Sequence, residues 1–152
     1  MNGIFLVFAL AAALALGDGD PTLERKAGPS RAGKGVRIKV VPSTYGRVVA
    51  DARGEALYLF DRERGKRSRC YGGCARAWPP VLTKGRPRAR GAAKQRLLGT
   101  TRRKNGKLQV TYAGHPLYTF GGDKVPGEAN GDGQSAFGGT WIALKGSGAP
   151  AD

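Results

Sequence analysis

Leu117-Tyr118-Thr119-Phe120-Gly121-Gly122-Asp123 has a counterpart sixty residues upstream, Leu57-Tyr58-Leu59-Phe60-Asp61-Arg62-Glu63. The correspondence runs well past these stretches. Gly46, Gly54, Leu57, Tyr58 and Phe60 fall on Gly106, Gly114, Leu117, Tyr118 and Phe120 without a gap. Ile38, Arg47, Val48 and Glu63 fall on the similar Leu98, Lys107, Leu108 and Asp123. A fixed period means one supersecondary unit per copy, so the chain is built twice.

Outward from that repeat, both copies follow the same local grammar. Val36-Arg37-Ile38-Lys39-Val40-Val41 alternates apolar and basic side chains, the period of a half-buried strand. Tyr45-Gly46 turns, Arg47–Asp51 is a second strand, Arg53-Gly54 turns again, and Ala56–Phe60 is a third. In the second copy the strands are Leu97–Thr101, Lys107–Tyr112 and Leu117–Phe120. Asn105-Gly106 supplies a hairpin turn, and Ala113-Gly114-His115-Pro116 the next one. Such short gaps admit only hairpins, so each unit reads as an antiparallel meander. A long irregular loop then leads to a tryptophan, Trp78 or Trp141. With a further strand at Thr140–Leu144, the expected fold is all-β. Two pseudo-symmetric antiparallel β-meander repeats, about 36–83 and 96–145, form a small sandwich or barrel spanning 36–145.

Length and composition agree with that reading. A chain of 152 residues suits one compact domain. Its 25 glycines and 9 prolines favour short elements and turns over a helix bundle. The formal net charge is +15, unevenly placed, because residues 108–152 contain only Lys124 and Lys145 as Lys or Arg. At the amino end, Ile4–Leu16 is an unbroken apolar run of thirteen residues. That is shorter than the roughly 20 a membrane-spanning helix needs, and it matches the apolar segment of a secretory signal. The expected organisation is a signal peptide at 1–17, a flexible arm at 18–35 and a disordered tail at 146–152. After cleavage the protein is not integral to the membrane, and its expected location is secreted or periplasmic.

Several unusual segments, in order, carry a family resemblance. Tyr118-Thr119-Phe120-Gly121-Gly122-Asp123 fits a Tyr-x-(Phe/Trp/Tyr)-x-x-Asp motif, and Tyr58-Leu59-Phe60-Asp61-Arg62-Glu63 fits it with glutamate last. Between them lies Cys70-Tyr71-Gly72-Gly73-Cys74-Ala75-Arg76-Ala77-Trp78-Pro79-Pro80, and Gln109–Tyr118 leads into the second motif. Over about residues 45–143 the chain resembles a bacterial secreted-repeat family, described as predicted lipoproteins of no established function. The only cysteines are Cys70 and Cys74, so the resemblance is carried over without a lipid-accepting cysteine. It implies export, a two-repeat domain, and Tyr58, Phe60, Glu63, Trp78, Pro79, Pro80, Tyr118, Phe120 and Asp123 as motif residues.

The chemistry-bearing residues each have a plain reading beside a functional one. In an exported protein Cys70 and Cys74 read first as a structural disulfide. A redox-active pair or a thiolate metal site is the alternative, and would make the protein a redox- or metal-linked accessory factor. Tyr58, Phe60, Tyr118 and Phe120 share faces by the strand period of two and read as core. Glu128-Ala129-Asn130-Gly131-Asp132-Gly133 echoes half a calcium loop, with Asp123, Glu128, Asn130 and Asp132 as ligands. Position twelve of that loop falls on Gly139 and lacks the closing carboxylate, so a glycine-rich turn is the simpler account. No cofactor is expected.

His115 is the lone histidine, and no nucleophile–base set or phosphate-cradling loop assembles around it. The protein is therefore not expected to be an enzyme. Nine basic residues lie between Lys84 and Lys104: Lys84, Arg86, Arg88, Arg90, Lys94, Arg96, Arg102, Arg103 and Lys104. Broken by Pro87 and Gly91, they read as a solvated loop that attaches to anionic envelope components, lipid headgroups or acidic polymers. Nucleic acid is not expected as a physiological partner outside the cytoplasm.

Overall fold

The structure, a computed structural model, describes residues 33–151. The signal read at 1–17 and the arm up to residue 32 lie outside the described residues. In chain order the strands are β1 (Arg37–Ser43), β2 (Gly46–Asp51), β3 (Tyr58–Phe60), β4 (Leu82–Thr83), β5 (Arg88–Ala89), β6 (Leu98–Arg102), β7 (Leu108–Tyr112), β8 (His115–Pro116), β9 (Ser135–Ala136) and β10 (Gly139–Ala143). Among the described residues one short helix, α1, covers Gly73–Ala77, and a 3-10 turn covers Gln95–Leu97. The strands form three small sheets: β2-β1-β5, β3-β10-β9, and β4-β7-β6 with β8 beside β7. The arrangement is sandwich-like and not a closed barrel.

The repeat is visible in the two hairpins. β1 and β2 pair from Ile38–Asp51 to Ser43–Gly46, and β6 and β7 from Leu98–Tyr112 to Arg102–Leu108. The third strand of each meander does not stay with its own hairpin. Leu57 N–H still reaches the Val49 carbonyl (2.9 Å), and Leu117 N–H the Val110 carbonyl (3.0 Å). One residue later the chains cross. Tyr58 N–H bonds the Tyr118 carbonyl at 2.9 Å and Tyr118 N–H bonds the Tyr58 carbonyl at 3.0 Å, a reciprocal pair between equivalent residues. A pseudo-twofold axis passes between these tyrosines.

Beyond the crossing the copies exchange strands. β3 pairs with β10, placing Phe60 opposite Trp141. In the equivalent place Thr119 N–H bonds the Pro79 carbonyl (2.9 Å) and Gly121 N–H the Ala77 carbonyl (3.0 Å), beside Trp78. The segments after the tryptophans complete the exchange. β4 joins β7 of the second copy, while Leu144-Lys145 joins β2 of the first, through Val49 N–H to the Leu144 carbonyl (2.7 Å). Neither copy contains its own finished sheet.

Two cores follow from the strand period. Tyr58 and Phe60 face one side with Trp78, Tyr118, Trp141 and the cysteines. Leu57 and Leu59 face the other with Ile38, Val49, Val110, Tyr112, Leu117 and Leu144. At roughly 25 cal/mol per Å² of apolar surface removed from water, this burial on both faces of short strands is the main stabilising contribution.

Four expectations need correcting. The basic stretch is not all solvated loop: Pro87 is buried, Arg88 N–H bonds the Val36 carbonyl (2.9 Å), and β5 pairs with β1 in parallel. The end of the expected arm, residues 33–35, also packs against this stretch: a β-carbon on Gly33 would meet Lys84, and one on Gly35 the Arg86 carbonyl. Residues 146–151, expected to be a disordered tail, fold back instead. Ala151 N–H bonds the Ala143 carbonyl (2.7 Å), and the Tyr112 hydroxyl donates to the Gly146 carbonyl (2.6 Å). Finally, the irregular loop after Phe60 contains α1, which opens beside the cysteines.

Candidate functional site

The motif residues converge on the pseudo-twofold axis. Phe60, Trp141, Trp78 and Phe120 form one continuous stack with centroid spacings of 4.3, 4.0 and 4.2 Å, the two indoles only 3° from parallel. Each phenylalanine stacks on the tryptophan of the other copy. Tyr58 meets Trp78 edge-on at 5.4 Å, and Tyr118 meets Trp141 edge-on at 5.2 Å. Offset and edge-to-face pairs add about 0.5–1.5 kcal/mol each beyond area burial. Both indoles are fully buried, so the stack is core and not a ligand groove. Gly131 is required here, since a β-carbon would sit 2.8 Å from the Trp78 ring.

The acidic end of each motif also crosses. The Tyr58 hydroxyl donates to Asp123 Oδ2 at 2.6 Å, and the Tyr118 hydroxyl donates to Glu63 Oε1. Tyrosine and acid of one bond therefore come from different copies. The carboxylates in turn organise backbone: Asp123 Oδ1 accepts Asn130 N–H (2.9 Å), and Glu63 Oε1 accepts Arg69 N–H (2.7 Å). Burial, joined by the neighbouring carboxylate, raises both tyrosines well above the usual phenol range. They stay neutral donors.

Glu63 is the more deeply buried acid, and its Oε2 has no hydrogen-bond partner among the described residues. Burial raises its carboxyl above the ordinary glutamate value against the opposing pull of Arg69 N–H, the Tyr118 hydroxyl, the Cys70 N–H and the Arg103 charge. Arg103 was expected on the anion-binding surface. It is instead only 4% exposed. Its Nη1 donates to Ser68 Oγ (2.7 Å) and Gln109 Oε1 (2.8 Å), its Nη2 donates to the Cys70 carbonyl (2.6 Å), and Tyr71 covers it at 4.3 Å. Ser68 Oγ lies 2.6 Å from the Tyr118 hydroxyl. Glu63, Tyr118, Ser68 and Arg103 thus form one buried chain of polar contacts, in which the cation offsets the charge of Glu63.

Cys70 and Cys74 are disulfide-bonded and buried, with Cys74 inside α1. The crosslink closes the turn whose carbonyl Arg103 holds. The carboxylates of the less favoured calcium alternative hold backbone amides and a tyrosine hydroxyl instead. Glu128 Oε2 accepts Lys124 N–H (2.5 Å) and Val125 N–H (3.2 Å), and Asp132 Oδ1 accepts Ala143 N–H (2.7 Å). Those amide bonds pull the Glu128 carboxyl below its ordinary value. Asn130 is exposed, and among the described residues no three His, Cys, Asp or Glu gather as metal ligands. His115 is half-buried in β8, and burial lowers its imidazole.

The remaining basic residues are exposed but do not form one strip. Arg86, Arg88 and Arg90 line a hollow with Lys34 and Arg37. Lys84 and Arg102 rim a second, joined by Lys34 and Lys107 over an apolar floor of Val36, Leu82 and Leu108. Arg96 lies near Lys66 in a third. Lys94 is anchored through its backbone N–H to the Tyr112 hydroxyl (2.9 Å), and Lys104 Nζ lies 5.1 Å from the Tyr71 ring centroid. Reading the basic run alone misses Lys34 and Arg37. The period-two spacing of Arg86, Arg88 and Arg90, matching that of Arg37 and Lys39, is the signal that the run includes a strand.

A family model described as a secreted repeat of unknown function matches the chain twice, at residues 39–82 and 99–145. These segments coincide with the two interlocked copies. Curated proteins and solved structures gave no match. Among the described residues no helix is long and apolar enough to cross a membrane.

Proposed function

We propose that this chain, which belongs to the family of secreted repeats of unknown function, is a non-enzymatic binding and structural module of the cell envelope. It attaches to anionic envelope components through its exposed cations. One observation carries this reading: six of the seven described carboxylates serve the scaffold. Asp51 Oδ1 accepts Arg53 N–H and Glu55 N–H, Asp61 Oδ1 accepts Thr140 N–H, and Glu63, Asp123, Glu128 and Asp132 hold the backbone or tyrosine contacts given above. Acids occupied in this way leave most of the described Lys and Arg side chains, the buried Arg103 excepted, exposed to solvent, on a chain whose formal net charge is +15. A surface field of that sign concentrates polyanions and speeds their association.

The interlocked scaffold supports a binding role over a catalytic one. Its largest side chains are stacked against each other, and Tyr58, Tyr112 and Tyr118 are locked as hydrogen-bond donors. No described side chain hydrogen-bonds the half-buried His115. The test is co-sedimentation at low salt with vesicles containing anionic lipid, zwitterionic vesicles, and an acidic polymer coupled to beads. Retention on the anionic supports alone, reversed by salt, is expected. Equal recovery from anionic and zwitterionic supports would refute the reading.

A further inference from the structure

We propose that the hollow between residues 33–37 and 86–90 is a binding site for a linear phosphodiester polymer. The inference rests on the envelope-attachment reading and gives it a location and a ligand class. Lys34, Arg37, Arg86, Arg88 and Arg90 line this hollow, and no acidic residue does. Two stretches far apart in sequence bring these cations together. β1 and β5 pair in parallel with Arg37 directly beside Arg88, while their neighbours Ile38 and Ala89 pair on the inward side. Like charges placed side by side on a strand pair repel one another. Among the described residues none of these five cations has an ion-pair partner.

The backbone is built to hold this arrangement. A β-carbon on Gly35 would collide with the Arg86 carbonyl, and one on Gly85 with the Gly33 carbonyl. The two segments therefore lie closer than side chains would permit. Arg88 N–H to the Val36 carbonyl (2.9 Å) and Arg90 N–H to the Ile38 carbonyl (2.8 Å) lock the register.

Geometry selects the ligand. Alternate residues on an extended strand are about 6.6 Å apart, and Arg86 and Arg90 flank Arg88 of β5 at that alternate spacing, so three arginines follow one edge of the hollow. Arg37 and Lys34 make the opposing rail. Guanidinium forks engage phosphate oxygens in pairs. A thin chain with one charged diester per short spacer can lie along the row and present successive phosphates to successive arginines. A bilayer is a poorer fit: the charges line a concavity, and the other lining residues, Gly33, Gly35 and Ala52, offer no large apolar side chain for insertion.

The test is fluorescence anisotropy of the intact protein with a labelled oligomer of propane-1,3-diol phosphate, against a carboxylate oligomer of equal charge. The variants are R86Q/R88Q/R90Q for one rail and K34Q/R37Q for the other, with R64Q/K66Q/R67Q and R64Q/R67Q on the exposed loop after Phe60 as their respective charge-matched controls. Circular dichroism verifies that each is folded. Both rail variants are expected to weaken phosphodiester binding by about tenfold or more, and the controls by less than about threefold. Equal losses in the rail and control variants would overturn the site while leaving general anionic attachment standing. So would equal affinity for the carboxylate oligomer, or binding to anionic vesicles without binding to the oligomer. Failure to bind oligomer and vesicles alike would remove the envelope-attachment reading as well.

Discussion

Two double-mutant cycles test whether the motif acids serve the opposite copy. The first combines Tyr118→Phe with Glu63→Gln, and the second Tyr58→Phe with Asp123→Asn. At Tyr118 the hydroxyl and Glu63 are both buried, so water cannot replace the lost donor. A hydrogen bond to a charged group contributes about 1.5–3 kcal/mol, and the Tyr118/Glu63 coupling belongs in that range. Asp123 is only partly buried, so solvent recovers some of the bond (2.6 Å) from Tyr58; a coupling of about 1–1.5 kcal/mol is expected there. The within-copy combinations, Tyr58 with Glu63 and Tyr118 with Asp123, share no hydrogen bond and should be additive within about 0.5 kcal/mol. Urea titration at neutral pH, followed by indole fluorescence, supplies the free energies. Within-copy couplings as large as the crossed ones would refute the exchange of motif partners.

Three further outcomes follow from the buried polar chain and the crosslink. Arg103→Ala strands Glu63 and three acceptors and should cost about 3–5 kcal/mol, whereas Arg102→Ala on the exposed side should change stability by about 0.5 kcal/mol or less; chemical denaturation compares them. Because the folded protein raises the Glu63 carboxyl above the ordinary glutamate value of 4.5, folding favours its protonated form. That contribution is complete below about pH 4.5 and is lost as pH rises through the folded value; Glu63→Gln should remove this slope from the stability–pH profile. Removing the five-residue Cys70–Cys74 ring as the double alanine variant should cost about 2 kcal/mol, measured by thermal melting with calorimetry.

Much of the fold was legible because its signals are local. Asn105-Gly106 sets one hairpin, alternation in Val36–Val41 marks a strand, and the matched positions from Gly46/Gly106 to Phe60/Phe120 reveal the repeat. The crossing was not legible. Tyr58 precedes Glu63 by the same interval as Tyr118 precedes Asp123, so sequence spacing is compatible with pairing inside or between copies. Only the backbone exchange at Tyr58 and Tyr118 decides it.

Arg103 was misread for a related reason. A charge run describes its neighbours in sequence, while the burial of Arg103 is set by Ser68 and Cys70, more than thirty residues away. The tail misled because Gly146-Ser147-Gly148 resembles a linker, yet Tyr112 and Ala143 supply the bonds that hold it. The basic hollow was half legible: the arginines of 86–90 stood out, but Lys34 and Arg37 join them only through the parallel pairing of β1 with β5.

The most direct test of the account is the salt dependence of binding between the intact protein and the propanediol phosphate oligomer. If the cations face outward because the acids are engaged in the scaffold, log K should fall linearly with log salt. The slope should be about −3 to −4, one counterion for most of the cations in the hollow. A slope near zero would contradict the claim, because the cations would then not be the binding groups.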